Sequence, residues 1–108
     1  MANRHLWRSI VLQSLFEWDF RNSSDTEALS ICKRNIEEFA RESSDNGFVL
    51  SLVLGVLSKH KDLDTVIGKA APDWPLDKIS IIDRNILRIG LYELLFSDRT
   101  QVPPKVAI

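Results

Sequence analysis

The sequence predicts an all-α protein, a compact bundle of about five helices. Apolar residues recur at spacings of three and four through most of the chain, and no segment alternates apolar and polar residues as a half-buried strand would. The stretches between these periodic segments are rich in the serine, asparagine, glycine and proline residues typical of turns. With 108 residues, of which 44% are hydrophobic and 27% charged, the chain is large enough for one hydrophobic core and lacks the composition of a disordered protein.

The first two helices follow from this pattern. Residues 4–20 form the first helix. Its core face carries Trp7, Val11, Leu15 and Trp18, and a second apolar stripe beside it consists of Leu12, Phe16 and Phe20. Ser24 and Glu27 then match a capping box, in which each side chain bonds the other residue's backbone N–H. This box predicts a second helix that runs to about residue 42. We expect its inward face to consist of Leu29, Cys32, Ile36, Phe39 and Ala40.

The next two helices are predicted on either side of a short polar stretch. Residues 48–58 are apolar almost all round, which is typical of a central helix, and Gly55 within them predicts a close helix crossing. Residues 62–71 form a short fourth helix with acids at its start, where the helix dipole favours them. Two prolines within residues 72–75 end it.

The last helix begins at Ser80 and Asp83 and runs to about Phe96, after one further turn at residues 76–79. We expect its buried stripe to consist of Ile82, Ile86, Ile89 and Leu94. Pro103 and Pro104 block its continuation. The final three residues then start a new apolar pattern, so we expect either a fragment or an apolar surface that something else covers.

Composition excludes several classes of function. The net charge of −1, from 14 basic and 15 acidic residues, excludes a strongly basic nucleic-acid-binding protein but leaves a local basic patch open. The single cysteine excludes an internal disulfide. The longest apolar run is about half of the ~20 residues that a membrane-spanning helix needs, and no signal peptide is recognisable. A cytoplasmic location is therefore expected.

Candidate catalytic and metal-binding groups are few. Cys32 has only His5 and His60 as possible imidazole partners, and its place within an apolar stripe indicates a buried structural thiol. His60, Asp62 and Asp64 can be drawn as metal ligands, but a solvated segment with acids at a helix start is the simpler interpretation. We therefore expect no enzymatic activity, no cofactor and no metal site.

A small basic patch opens the first helix. Arg4, His5 and Arg8 precede every acidic residue of the chain, and residues four apart on a helix share a face. Paired guanidinium groups can grip phosphates, which makes this patch the candidate for nucleic-acid binding. An ordinary solvated helix end is the alternative, although cations there oppose the helix dipole.

Two further features are open to a functional role. Arg84 and Arg88, one turn apart, either bind acidic groups or RNA, or pair internally with Asp83 or with acids of the second helix. Trp74 lies in a proline-bounded loop, whereas the other two tryptophans are expected in the core.

Four segments, in order along the chain, resemble motifs of one protein family. They are Arg8 with Ser14-Leu15-Phe16-Glu17-Trp18; Phe48, Leu52, Gly55 and Val56; the segment from Asp83 to Leu94; and the segment from Val102 to Ile108. By these motifs the chain resembles the NusB transcription antitermination factors, and residues 83–94 are the most specific part of the match.

This resemblance implies a single NusB-like RNA-binding domain over residues 1–108, lacking the last two helices of the family. It implies binding of boxA-type RNA together with the ribosomal protein NusE, and read-through by RNA polymerase in ribosomal RNA operons. Arg4, His5 and Arg8 are then the RNA-binding residues, while Asp83 and Arg84 belong to the protein contact. No cofactor is implied.

Two other interpretations stay open. The same fold resembles the N-terminal domain of ribosomal RNA cytosine methyltransferases, in which case the catalytic domain would follow downstream. A non-catalytic helical scaffold is the second, because missing terminal helices would expose an apolar groove beside the predicted third and fifth helices. Such a groove predicts a homodimer.

Overall fold

The computed structural model describes residues 4–40 and 46–96, and these ranges are helical without any strand. The four α-helices are α1 (Arg4–Phe20), α2 (Asp25–Phe39), α3 (Asn46–Ala70) and α4 (Ile81–Leu95), with one short 3-10 helix (Leu76–Lys78) between α3 and α4. The predicted all-α fold is confirmed. The two prolines at 103 and 104 and the apolar end at 106–108 lie outside the described residues.

The predicted third and fourth helices are one continuous helix of 25 residues, α3. The polar stretch at residues 58–62 contains neither proline nor glycine, so nothing in it breaks the helix. The buried positions also continue through it at helical spacing, from Val53 and Val56 to Leu63 and Ile67. The expected break at this point was wrong: five consecutive polar residues resemble a loop, but His60 among them packs against Trp18 at an inward position of the helix.

Side-chain caps fix where α2 and α4 begin. The Glu27 backbone N–H donates to Ser24 Oγ over 3.2 Å, and the Ser24 backbone N–H donates to Glu27 Oε1 over 3.2 Å, which confirms the predicted capping box. At α4 the Asp83 backbone N–H donates to Ser80 Oγ over 3.0 Å. Helix α2 ends at Phe39, earlier than predicted. Phe39 was expected to face inward, but it lies at the end of the helix and is 56% exposed.

Helix α1 is central and packs against α2, α3 and α4. The core contains the predicted face of α1 and the apolar positions of α3, and its fully buried members include Val11, Leu15, Val49, Val53, Val56 and Leu63. Gly55 permits the close crossing of α3 and α4, since a Cβ atom there would overlap the Tyr92 ring. This confirms the role expected for that glycine.

The apolar stripe predicted for α4 is only partly buried. Ile89 lies in the core, whereas Ile82 and Ile86 are 48% and 49% exposed. Polar side chains, Asn85, Arg88 and Glu93, are buried instead. Helix α4 is thus held to α1 largely by polar groups. Its residues Ile89, Leu91 and Tyr92 pack against the core, whereas Ile82 and Ile86 stay exposed beside α1. An exposed apolar groove lies between α1 and α4. The groove was predicted beside α3 and α4, and exposed apolar side chains also occur on these two helices, namely Leu54, Leu87 and Leu95.

Candidate functional site

The basic end of α1 lies against the C-terminal half of α4. His5 is exposed, and Arg8, one turn later, has a side chain that is 37% exposed. Arg8 Nε donates to Glu93 Oε1 over 3.0 Å and Arg8 Nη2 donates to Glu93 Oε2, a two-point ion pair with a carboxylate that is only 8% exposed. The backbone of Arg4 begins α1, while its side chain lies outside the described part of the chain.

This ion pair fixes the direction of the Arg8 guanidinium. The hydrogen-bonded carboxylate of Glu93 raises the pKa of Arg8, against the opposing effect of burial, so the cation persists at every physiological pH. Among the described residues Arg8 Nη1 has no partner and remains available to a further acceptor. Sequence reasoning missed Glu93 because 85 positions separate it from Arg8.

The groove between α1 and α4 runs from this basic end along α1. One part, of about 220 Å³, is lined by His5, Arg8, Ser9, Leu12, Ile86 and Ile89. The next part, of about 310 Å³, is lined by Ser9, Leu12, Gln13, Phe16 and Ile82. Phe16 stacks on the exposed Phe20 with ring centroids 5.9 Å apart and planes at 5°. The groove therefore combines a cationic end with an apolar, partly aromatic wall.

A second polar cluster holds the N-terminal half of α4. Arg84 Nε and Nη2 each donate to Asp19 over 2.6 Å, and Asn85 Nδ2 donates to the same carboxylate over 3.0 Å. Arg88 Nη1 donates to Asp19 Oδ2 over 2.8 Å. The other side of the Arg88 guanidinium donates twice to Asp64, over 2.7 and 2.9 Å. The partners of the two arginines are therefore acids of α1 and α3, and the expectation of Asp83 or acids of α2 was wrong.

The carboxylate of Asp19 in this cluster is held in its ionised form. Burial alone would raise the pKa of Asp19, but hydrogen bonds and charge from the two arginines lower it below the ordinary value. Arg84 is mostly buried and its charge is already matched, whereas Asp83 beside it is exposed in the first turn of α4. Of the two predicted partner-binding residues, Asp83 is thus the one that faces solvent.

Of the other residues considered from the sequence, Cys32 and His60 have positions typical of structural residues. Cys32 is fully buried, and burial raises the pKa of its thiol. The His60 ring packs edge-on against Trp18, and its Nδ1 lies 2.9 Å from the Leu57 carbonyl oxygen. Within residues 4–40 and 46–96 no three His, Cys, Asp or Glu side chains are grouped as metal ligands. Trp74 is 68% exposed.

No helix in the described ranges is long and apolar enough to cross a membrane.

Comparison with known proteins places this geometry in a family. The sequence model of the NusB family matches residues 5–108. The transcription antitermination protein NusB of Myxococcus xanthus is 35% identical over an alignment that covers 100% of this chain and 76% of that protein. Its counterpart in Streptomyces coelicolor is 35% identical, covering 93% of this chain and 70% of its own length. The NusB protein of Dehalococcoides mccartyi strain 195 is 36% identical, over an alignment that covers 99% of this chain and 71% of that protein.

No solved structure matches the chain significantly. The matching relatives are antitermination proteins, a non-enzymatic family, which confirms the expectation that the chain is not an enzyme. The family match spans nearly every residue and includes the segments that form the groove and both polar clusters. This chain belongs to the NusB family of transcription antitermination proteins.

Proposed function

We propose that this chain is a cytoplasmic antitermination factor that binds boxA-type RNA together with the ribosomal protein NusE and promotes read-through of ribosomal RNA operons. Residues 1–108 act as one RNA-binding domain. The observation that carries the proposal is the Arg8 guanidinium, which Glu93 holds at the cationic end of an open groove.

The RNA contact begins at this guanidinium. A phosphate oxygen can accept from Arg8 Nη1 without disturbing the bonds to Glu93. Because Glu93 fixes the side chain in advance, binding costs less conformational entropy than it would for a free arginine. Arg4 lies one helical turn earlier on the same face, and the exposed His5 lies between them.

The wall of the groove suits the bases of a single strand. Phe16 and Phe20 offer stacked aromatic rings, and unpaired bases stack on such rings with little dependence on sequence. A strand whose phosphates approach Arg8 would therefore find apolar and aromatic surface along α1. This combination of cation and aromatic surface supports RNA over a second protein at the groove.

The protein contact lies at the other end of α4. Asp83 is exposed there and can accept hydrogen bonds from a partner. The hydrogen bonds from Arg84 to Asp19 hold this first turn of α4 against α1. Ten residues separate Asp83 from Glu93, about 15 Å along a helix axis. The phosphate contact at Arg8 and the protein contact at Asp83 are therefore separate, while the far end of the groove, at Ile82, borders the protein contact.

An N-terminal domain of a ribosomal RNA cytosine methyltransferase is the less supported alternative. The curated relatives reported above match this chain over 93–100% of its length, and they are antitermination proteins. Their names favour the factor.

Binding of labelled RNA tests the proposal. The chain is titrated into boxA RNA and into a scrambled strand of the same composition, with and without NusE. We expect boxA to bind at least about tenfold more tightly than the scrambled strand when NusE is present, since a single mismatched base costs about that much affinity. Equal affinities for both strands would refute the function.

A further inference from the structure

The connection between α3 and α4 is rich in apolar residues, and three of them, Pro72, Trp74 and Pro75, are exposed. Six apolar residues lie within residues 71–79, and none of them is buried: Ala71, Pro72, Trp74, Pro75, Leu76 and Ile79. Trp74 is the most exposed large hydrophobic residue of the described chain, at 68%. Linkers are ordinarily polar, and a contiguous exposed apolar patch on a soluble protein commonly marks a contact surface.

This connection holds Trp74 on a defined turn. The Trp74 backbone N–H donates to the Ala71 carbonyl over 3.0 Å, and the Lys78 N–H donates to the Pro75 carbonyl over 2.8 Å. Prolines on both sides of the tryptophan restrict the backbone further. Among the described residues the Trp74 side chain makes no ring contact or hydrogen bond. An exposed indole on a fixed turn can bind a partner with a small loss of entropy.

The charges around Trp74 select the kind of partner. Asp73, Asp77 and Asp83 are exposed, and Lys78 is the only basic residue within residues 71–83. The charge of Asp77 contributes to the raised pKa of Arg84, although the Asp19 hydrogen bond is the main cause. Asp77 therefore lies within electrostatic reach of the start of α4, where Asp83 is also located.

An indole ring can stack on a nucleobase, but the exposed carboxylates of Asp73 and Asp77 in the same connection repel phosphates. The same carboxylates attract a basic protein surface. Tryptophan is also the residue type most enriched at the energetic centres of protein interfaces. The chemistry of this patch, an apolar anchor with an acidic rim, fits a protein partner that presents an apolar cleft between basic side chains.

We propose that Trp74 is the anchor residue of the protein-binding surface, inserting into an apolar cleft of a basic partner while Asp73 and Asp77 contact its cations. This inference rests on the proposed function, in which the basic partner is the ribosomal protein NusE. It extends the contact from Asp83 at the start of α4 onto the preceding turn.

Tryptophan fluorescence tests this directly, because Trp7 and Trp18 are buried and Trp74 alone is exposed. Addition of NusE should shift the emission to shorter wavelength and protect it from acrylamide. Trp74→Ala should lower the affinity for NusE by about tenfold or more, the range of an interface anchor. The control Phe39→Ala, which removes another exposed aromatic residue on α2, should leave the affinity unchanged. Asp73→Asn with Asp77→Asn should weaken binding and reduce its salt dependence.

The outcomes separate this inference from the proposed function. If the unaltered chain binds NusE and Trp74→Ala binds it equally well, the anchor role is overturned and the function stands. If Trp74→Ala instead lowers the affinity for boxA RNA in the absence of NusE, Trp74 is an RNA-stacking residue and the inference is again overturned. If the unaltered chain does not bind NusE at all, both fail.

Discussion

Helix α1 packs against α2 and α3 on one side and against α4 on another, and the contacts differ in chemistry. Helices α2 and α3 pack on it mainly through apolar side chains such as Val11, Leu15 and Val53. Helix α2 adds one ion pair, between Arg34 and Glu17, and a hydrogen bond from Asn35 to Ser14. Helix α4 is held to it by ion pairs at both ends: Asp19 with Arg84 and Arg88, and Arg8 with Glu93.

Apolar burial stabilises without specifying direction, whereas a hydrogen-bonded ion pair fixes orientation. Two such pairs at opposite ends of α4 set its position along α1. The proposed RNA contact and protein contact both use residues of α4 or of the segments that touch it. The polar attachment thus fixes the geometry of the candidate sites, and the apolar attachment supplies the core.

Removing the ion pairs of Arg88, which hold α4 to α1 and α3, should lower the stability of the fold more than any other change considered. Arg88→Met leaves Asp19 and Asp64 facing each other without their shared cation. Removing one partner of a buried pair costs about 3–5 kcal/mol, so we expect the free energy of unfolding to fall by that amount in a urea titration. Lys33→Ala, on the exposed face of α2, should change it by less than about 0.5 kcal/mol. An Arg88→Met variant as stable as the unaltered chain would show that the apolar contacts alone hold α4.

Acid should weaken the attachment of α4 to α1 by protonating Asp19, with a smaller loss of stability than Arg88→Met causes. The pKa of Asp19 is lower in the folded chain than in the unfolded one, because the two arginines outweigh the effect of burial. Its contribution is therefore complete above the unfolded value, about 3.9, and is lost as the pH falls through the folded value. Urea unfolding between pH 7 and pH 2 should show this decline, mostly below about pH 4, and Asp19→Asn should remove part of it.

The control for this titration is Asp73→Asn, which changes an exposed carboxylate in the connection. It should keep the acid dependence of the unaltered chain. If Asp19→Asn keeps it as well, the attachment of α4 does not depend on the ionised carboxylate.

Local signals in the sequence predicted much of the fold. The capping box at Ser24 and the wide apolar face of α1 are short-range patterns, and both were confirmed. The polar run at residues 58–62 was misleading because the inward position within it is taken by His60, which packs against Trp18, rather than by an apolar residue. Periodicity on the buried side was the better guide.

The candidate site could be predicted only in part. The motifs at residues 83–94 pointed to the family, and the basic start of α1 pointed to Arg8. The partners of these arginines could not be read from spacing, because Glu93 and Asp19 lie 85 and 65 positions from Arg8 and Arg84. For the same reason Ile82 and Ile86 were expected in the core, while ion pairs in fact turn that side of α4 toward the groove.

The central claim is that the Arg8 guanidinium, held by Glu93, contacts an RNA phosphate. The salt dependence of boxA binding in the presence of NusE tests it, using Arg8→Gln and, as a matched control, Arg34→Gln. Arg34 is also a cation paired with a carboxylate of α1, Glu17, but it lies on α2. The double variant Arg8→Gln with Glu93→Gln guards against misfolding, since it replaces the ion pair by two neutral amides.

For a single strand, each phosphate that a cation neutralises adds about 0.7 to the steepness with which log Kobs declines against log salt concentration. We predict that both Arg8 variants make this slope shallower by about that amount, with Arg34→Gln retaining the slope of the unaltered chain. An unchanged slope in the Arg8 variants, with folding confirmed by circular dichroism, would contradict the claim.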